Sequence, residues 1–270
     1  MILLLSVDLD VDFDPRLTAL RPLGGFFVLR ASRPSPPRPL PTLAHAYAPV
    51  YGAATPDVQL PAREDPLAFR VRKVAAALRV PEIRVAASVA QQGLAARLWS
   101  VTLGCAVLYG GDPDLAPRLL HWDPDAGAPD DLWLAGVKRL PGDAGTIAEV
   151  VLDGHLAPLT AALHARYRVA TGLLWGNAAS ALAGAGRELD RWSRRHGRAH
   201  AAAHARSLTA GLMAHPLLAG TGTLTGNGFR RRSCCLYYRA PGAGVCGDCC
   251  FSHPPRCPQS RRSSPGAPSG

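Results

Sequence analysis

From residue 65 onward, apolar positions recur mainly at helical spacing. Asp65 is placed to cap a helix with Pro66 at its first position, and Leu67, Val71, Val74, Ala75 and Leu78 then share a face until Pro81 ends the run. The stretch from Glu82 to Tyr109 carries charge only at Glu82, Arg84 and Arg97, which predicts a helix central to the core, with a break at Gly93. Thr146 and Glu149 form a capping box ahead of Val150, Val151 and Leu152, and Pro158 should kink or restart that helix before Leu159 to Ala170. Trp175 to Leu189 reads as another helix. Between Arg118 and Ala135, two apolar runs (Leu119 to Trp122 and Leu132 to Leu134) flank an Asp-Pro-Asp-Ala-Gly turn, which suggests a short β-hairpin and the only sheet.

Punctuation divides the chain further. Residues 31 to 61 are proline-rich and should be extended; the Gly/Thr stretch from 220 to 228 marks a loop or boundary; serine, proline and glycine after Cys257 mark a disordered tail. The expected organisation is a proline-rich segment over 1–64, a helical body over 65–222, a cysteine-bearing segment over 223–257 and a tail over 258–270. No internal repeat is visible.

Composition agrees with a mainly α fold, since alanine, leucine and valine dominate while aromatic residues make up only 6%. The formal charge of +10 is concentrated: residues 191 to 270 hold twelve arginines, no lysine and one acid, Asp248, giving +11 there and −1 elsewhere. That asymmetry argues for an anionic partner of the C-terminal third. The apolar start, Met1 to Val7, lacks a basic leader and runs into Asp8, Asp10, Asp12 and Asp14, so a cytoplasmic location is expected, with contact at the inner face of the membrane left open. Val169 to Gly186 and Ser207 to Phe229 are too rich in glycine and polar residues to be read as membrane spans.

Six of the seven cysteines fall between Cys234 and Cys257. A disulfide framework would need an oxidising compartment, which the expected location does not provide. Zinc could be closed by Cys246-x2-Cys249-x3-His253-x3-Cys257, leaving the adjacent pair Cys234-Cys235 unused. A 2Fe-2S cluster needs two protein ligands on each iron, and Cys234, Cys235, Cys246 and Cys249 supply four thiolates as an adjacent pair and a CxxC pair. Arg230, Arg231, Arg232 and Arg239 could offset the cluster's negative charge, or dock an anion or a partner. A zinc-binding basic module contacting nucleic acid or protein, with Tyr237, Tyr238 and Phe251 as stacking residues, is the alternative of a different class.

The run from Arg231-Arg232-Ser233-Cys234-Cys235 through Cys246-Gly247-Asp248-Cys249, with its C-C-x10-C-x2-C spacing, resembles the C-terminal signature of FhuF-like ferric-siderophore reductases. Ala95-Ala96-Arg97-Leu98-Trp99-Ser100 and Leu173-Leu174-Trp175-Gly176-Asn177-Ala178 resemble the same family. The resemblance implies a mainly α body with a small C-terminal cluster-binding segment, a 2Fe-2S cofactor and one-electron reduction of ferric siderophores that releases Fe(II) in the cytoplasm. The expected partners are the ferric siderophore and an electron donor such as a ferredoxin, steered by the basic face, with nucleic acid kept as the alternative. Cys250 stands where such proteins often carry proline, and His253 and Cys257 fall outside the pattern.

The remaining candidates read more simply. His196, His200 and His204 are spaced for one helix face but sit among arginines, as a solvated basic surface would. Trp175 reads as core, Asn177 as a cap or cross-link, and Cys105 as a buried thiol. No Walker loop, dinucleotide fingerprint or nucleophile elbow appears, so electrons must come from another protein.

Overall fold

The computed structural model describes residues 17, 19–31, 39–48, 65–226 and 228–255. Cys257, the tail from 258, and the proline-rich residues 32–38 and 49–61 lie outside the described residues.

Two long helices packed on one another organise the core. Ahead of the central helix stand α1 (Leu43–Tyr47) and α2 (Pro66–Leu78). Asp65 caps α2 as expected, its Oδ1 accepting the N–H groups of Leu67 at 2.9 Å and Ala68 at 3.1 Å. α2 ends at Arg79, which takes the left-handed conformation just ahead of Pro81. The central helix α3 (Ile83–Tyr109) runs unbroken through Gly93. A lone glycine costs a helix about 1 kcal/mol, which the burial of Leu94, Leu98, Trp99, Val101 and Leu103 outweighs.

α4 (Ala144–Tyr167) is capped by Asp143 rather than by the Thr146 box: Asp143 accepts both the N–H (3.0 Å) and the hydroxyl (2.8 Å) of Thr146, which already lies inside the helix. The disturbance expected at Pro158 takes the form of a π-helical stretch, Ala148–Leu156, immediately upstream. By length and composition α4 could cross a membrane, but 56% of its most apolar stretch is buried against the fold, as in a core helix.

α5 (Thr171–Arg195) packs along α3, where Trp99 Nε1 donates to the Ala178 carbonyl at 3.1 Å. It outruns the apolar stretch because Glu188–Arg191 and Asp190–Arg194 pairs, at 2.9 and 3.0 Å, support its polar end. α6 (Ala199–Met213) packs back on α5. Since α5 ends at Arg195 and Gly197 turns the chain with φ of 67°, His196 does not share a helix face with His200 and His204; all three are exposed.

The expected hairpin forms: β3 (Leu120–Trp122) pairs antiparallel with β4 (Leu132–Leu134), Leu120 opposite Leu134. It is not the only sheet. β1 (Arg30–Ala31) adds parallel to β4, and β2 (Gly111–Pro113) pairs with β5 (Arg139–Pro141). The stretch read as a boundary loop contains β6 (Gly222–Thr225), which pairs with β7 (Gly228–Arg231). Glycine hid this strand, although Gly226 at φ of 57° supplies the left-handed turn residue such a hairpin uses.

Candidate metal centre

β7 delivers the cysteine segment onto the surface made by α3 and α5. Alternation along β7 leaves Arg230 exposed and turns Arg231 inward, where it is 3% exposed. The Arg231 guanidinium donates to Asn177 Oδ1 on α5, and the Asn177 amide donates to the Ser88 carbonyl (3.0 Å) and hydroxyl oxygen (2.9 Å) on α3. Ser88 Oγ in turn donates to the Cys235 carbonyl at 2.7 Å. Asn177 is therefore a cross-link between both long helices and the cysteine segment. Gly176 leaves the space: a Cβ there would stand 2.5 Å from Ser233 Oγ.

The CxxC loop is pinned by Asp248. Its carbonyl accepts the Arg231 N–H at 2.9 Å, and its carboxylate accepts the Ser180 hydroxyl and pairs with Arg187 at 3.4 Å. Cys249 N–H closes the loop onto the Cys246 carbonyl at 3.1 Å. Ser88 and Ser180 gave no signal in the sequence, whereas Gly176 stood in the family-like run around Trp175 and Asp248 is the one acid among residues 191–270.

Five thiols meet here. The Cys235 and Cys246 sulfurs are 3.5 Å apart, close to the roughly 3.8 Å that two thiolates on one tetrahedral metal require at metal–sulfur bonds of about 2.3 Å. Backbone N–H groups aim at two sulfurs, Leu236 at Cys234 (3.2 Å) and Phe251 at Cys249 (3.4 Å). Leu236 takes the left-handed conformation, φ 67°, uncommon for leucine, and this turns its N–H back onto Cys234.

The Cys235 thiol is pulled down to about 6, first by the hydrogen bond with Cys246, then by the Tyr237 N–H and the Arg231 charge working against burial. Cys246 is correspondingly held up as the proton-bearing partner. Burial pushes the Cys234 thiol up to about 11 and raises Cys250.

Whether this site suits an anionic cluster is decided by Arg231. Among the described residues its guanidinium is paired only with a neutral amide, and its Nε and Nη2 are buried without a partner. A buried cation left so is costly unless negative charge is brought beside it, which thiolates carrying an iron–sulfur cluster would do. No three His, Cys, Asp or Glu side chains among the described residues converge on one ion; a two-iron cluster asks for pairs instead. Of the residues the zinc reading added, His253 is exposed and Cys257 lies outside the described residues.

The other arginines divide. Arg232 is exposed like Arg230, while Arg239 pairs with Glu82 and contacts the Tyr238 hydroxyl at 3.3 Å. Arg231, being buried, cannot face a docking partner. On the far side of the CxxC loop lies an open cleft of about 370 Å³. Small residues of α3 and α5 (Ala96, Ala181, Gly184) form its floor, Phe26 stands at its rim, and Asp248 closes its cluster end.

A mainly helical body presents clustered thiols beside a buried arginine, an arrangement suited to a cysteine-ligated, negatively charged metal centre. Residues 231–251 match the family model of the FhuF 2Fe-2S C-terminal domain, and the cofactor this indicates is a 2Fe-2S cluster. No curated protein matches the chain.

Proposed function

We propose that the protein is a one-electron reductase of ferric siderophores, with Cys234, Cys235, Cys246 and Cys249 as the cluster's ligands. The observation that carries this is the position of the thiols: four of the five are only partly buried, and the loop joining Cys246 to Cys249 is also the wall of an open cleft. When bound, the 2Fe-2S group supplies single electrons. The chain's own residues do the rest. Cys235 would hold the group from the buried side and Cys234, Cys246 and Cys249 from the partly open side, while Arg231 balances negative charge that solvent does not reach. Asp248, tied to Ser180 and Arg187, keeps the CxxC loop against the cleft, so an acceptor seated there is separated from the ligand cysteines by one residue.

The substrate chemistry suits this arrangement. Hard oxygen donors hold Fe(III) more strongly than Fe(II), so one electron loosens the complex and frees the metal without breaking the chelator. Exposed Arg230 and Arg232 would steer an acidic donor such as a ferredoxin. Release of Fe(II) in the cytoplasm completes the reading.

Protein purified without air should contain two irons and two acid-labile sulfides per chain. After reduction and removal of excess dithionite, stopped-flow mixing with hydroxamate, catecholate and carboxylate ferric chelates, in the presence of an Fe(II) trap, should reoxidise the cluster and release trapped Fe(II). A reduced cluster that survives the whole panel would leave an electron carrier with a different acceptor.

A further inference from the structure

We propose that the electron donor is a small acidic one-electron carrier protein and that it docks on an aromatic face at the start of α3, away from the cleft. This deepens the reductase reading and rests on it for the direction of electron flow. The face is built outward from the cysteine segment. Phe251 donates its N–H to the Cys249 sulfur at 3.4 Å, so its ring, 38% exposed, belongs to a residue already touching a ligand cysteine. Tyr238 packs edge-on against that ring, with centroids 5.9 Å apart. The turn Tyr237–Arg239 lies on the start of α3, where Arg239 pairs with Glu82 and the neighbouring Ile83 is 37% exposed. Among the described residues the exposed large apolar side chains are Phe26, Ile83 and Phe251, and two of these three fall here. Arg230, whose guanidinium donates to the Cys250 carbonyl at 3.2 Å, stands on the Phe251 side, and Arg84 and Arg239 share the single Glu82 carboxylate, so the rim is positive.

An apolar centre inside a charged rim is the anatomy of a protein interface, and transient redox complexes need to bury less than about 1,200 Å². The positive rim selects an acidic partner. Stacked bases are served less well, because rings set at 84° cover one another instead of offering two open faces. The cleft meets α3 from Gln92 to Ser100, roughly 14 to 25 Å beyond Ile83 at 1.5 Å per residue, and none of the side chains of this face line it. The docked carrier gives up one electron to the centre held by the thiols, no bond forms or breaks, and the acceptor's seat is left open.

The test uses the cluster-loaded protein and a labelled plant-type ferredoxin, kept oxidised so that affinity is read without electron transfer. Phe251→Ser and Ile83→Asp should each weaken binding about tenfold at low ionic strength, and Ile83→Lys should bind at least as well as the wild type. Ile83 opens α3, whose first turn holds no acid, so aspartate there suits the helix, and an unchanged visible spectrum checks the site. The gap between Ile83→Asp and Ile83→Lys should narrow with added salt. In stopped-flow mixing, reduced ferredoxin should reduce Phe251→Ser and Ile83→Asp more slowly by a similar factor, whereas both variants, once reduced by dithionite, should pass electrons to ferric chelates at the wild-type rate. Wild-type affinity in Phe251→Ser and Ile83→Asp, equal losses in Ile83→Asp and Ile83→Lys, or no ferredoxin binding by the wild type would overturn the docking face and leave the reductase reading standing. Binding of a labelled single-stranded oligonucleotide in place of ferredoxin, lost in the same variants, would overturn it in favour of nucleic acid. Variants that behave as expected toward ferredoxin, with a reduced cluster that survives every ferric chelate, would uphold the face and end the reductase reading.

Discussion

At the scale of single residues, Arg231 separates this site from an ordinary cysteine cluster. A guanidinium 3% exposed, with two nitrogen positions unpartnered among the described residues, is stable only if anionic groups stand beside it. Its charge favours the anion on Cys235 and on Cys246 alike. The same charge should favour the reduced cluster, which carries one more negative charge than the oxidised one. Arg231→Gln should therefore lower the reduction potential, by roughly 100 mV for a unit charge within several ångströms at an effective dielectric near 20. An EPR-monitored redox titration measures this, with Arg232→Gln, on the exposed side of the strand, as the control that should move it little. An unchanged or raised potential in Arg231→Gln would mean that the guanidinium does not act on the cluster. Sequence could place four arginines near the thiols but not sort them. That sorting comes from the period-two alternation of β7, a strand that glycine and threonine concealed.

At the scale of elements, legibility followed the length of the pattern. α2, with its Asp65 cap, and the β3–β4 hairpin were readable because several apolar positions agreed with one period. Gly93 gave the wrong signal because a local propensity of about 1 kcal/mol is small beside the burial of a helix packed along its length. The β6–β7 hairpin was invisible for the opposite reason: its strands carry few apolar residues, and close packing rather than periodicity holds them. Gly222 makes this concrete. A Cβ there would stand 2.5 Å from the Arg230 carbonyl and 2.3 Å from the Phe229 ring, so any side chain must push the strands apart. Gly222→Ala should displace β7, and Arg231 with it, while leaving the helices alone. The expected result is unchanged far-UV circular dichroism and several-fold faster loss of the visible spectrum to an iron chelator. Equal rates in the variant and the wild type would show that the hairpin does not position the site.

At the scale of the whole molecule, two parts are held by different forces. The body has a continuous apolar core running through α3, α4, α5 and α6. Beyond residue 222, the described chain buries only Phe229, Cys235 and Ala240 as apolar side chains. Burying a large side chain contributes about 1.5–3 kcal/mol, while fixing each residue's backbone costs about 1–2 kcal/mol. Apolar burial, with Phe229 and Ala240 joining the body's core and Leu224, Leu236 and Ala243 packed against it, therefore orders this segment only in part. The polar pins, Ser88 to Cys235, Arg231 to Asn177 and Asp248 to Ser180, locate it, but each contributes only about 0.5–3 kcal/mol net. Bound metal would add to this order, as it does in small domains where metal-binding energy is folding energy. Removing iron and sulfide should thus leave the helices formed and release the segment from Gly228 onward. Hydrogen exchange read by mass spectrometry checks this: peptides from α3 and α5 should keep their protection in the apoprotein, while those spanning residues 228–251 should exchange far faster and recover on reconstitution. Loss of protection throughout α3 and α5 would mean that the cluster organises the whole fold, and unchanged protection of 228–251 would mean that the segment folds without it.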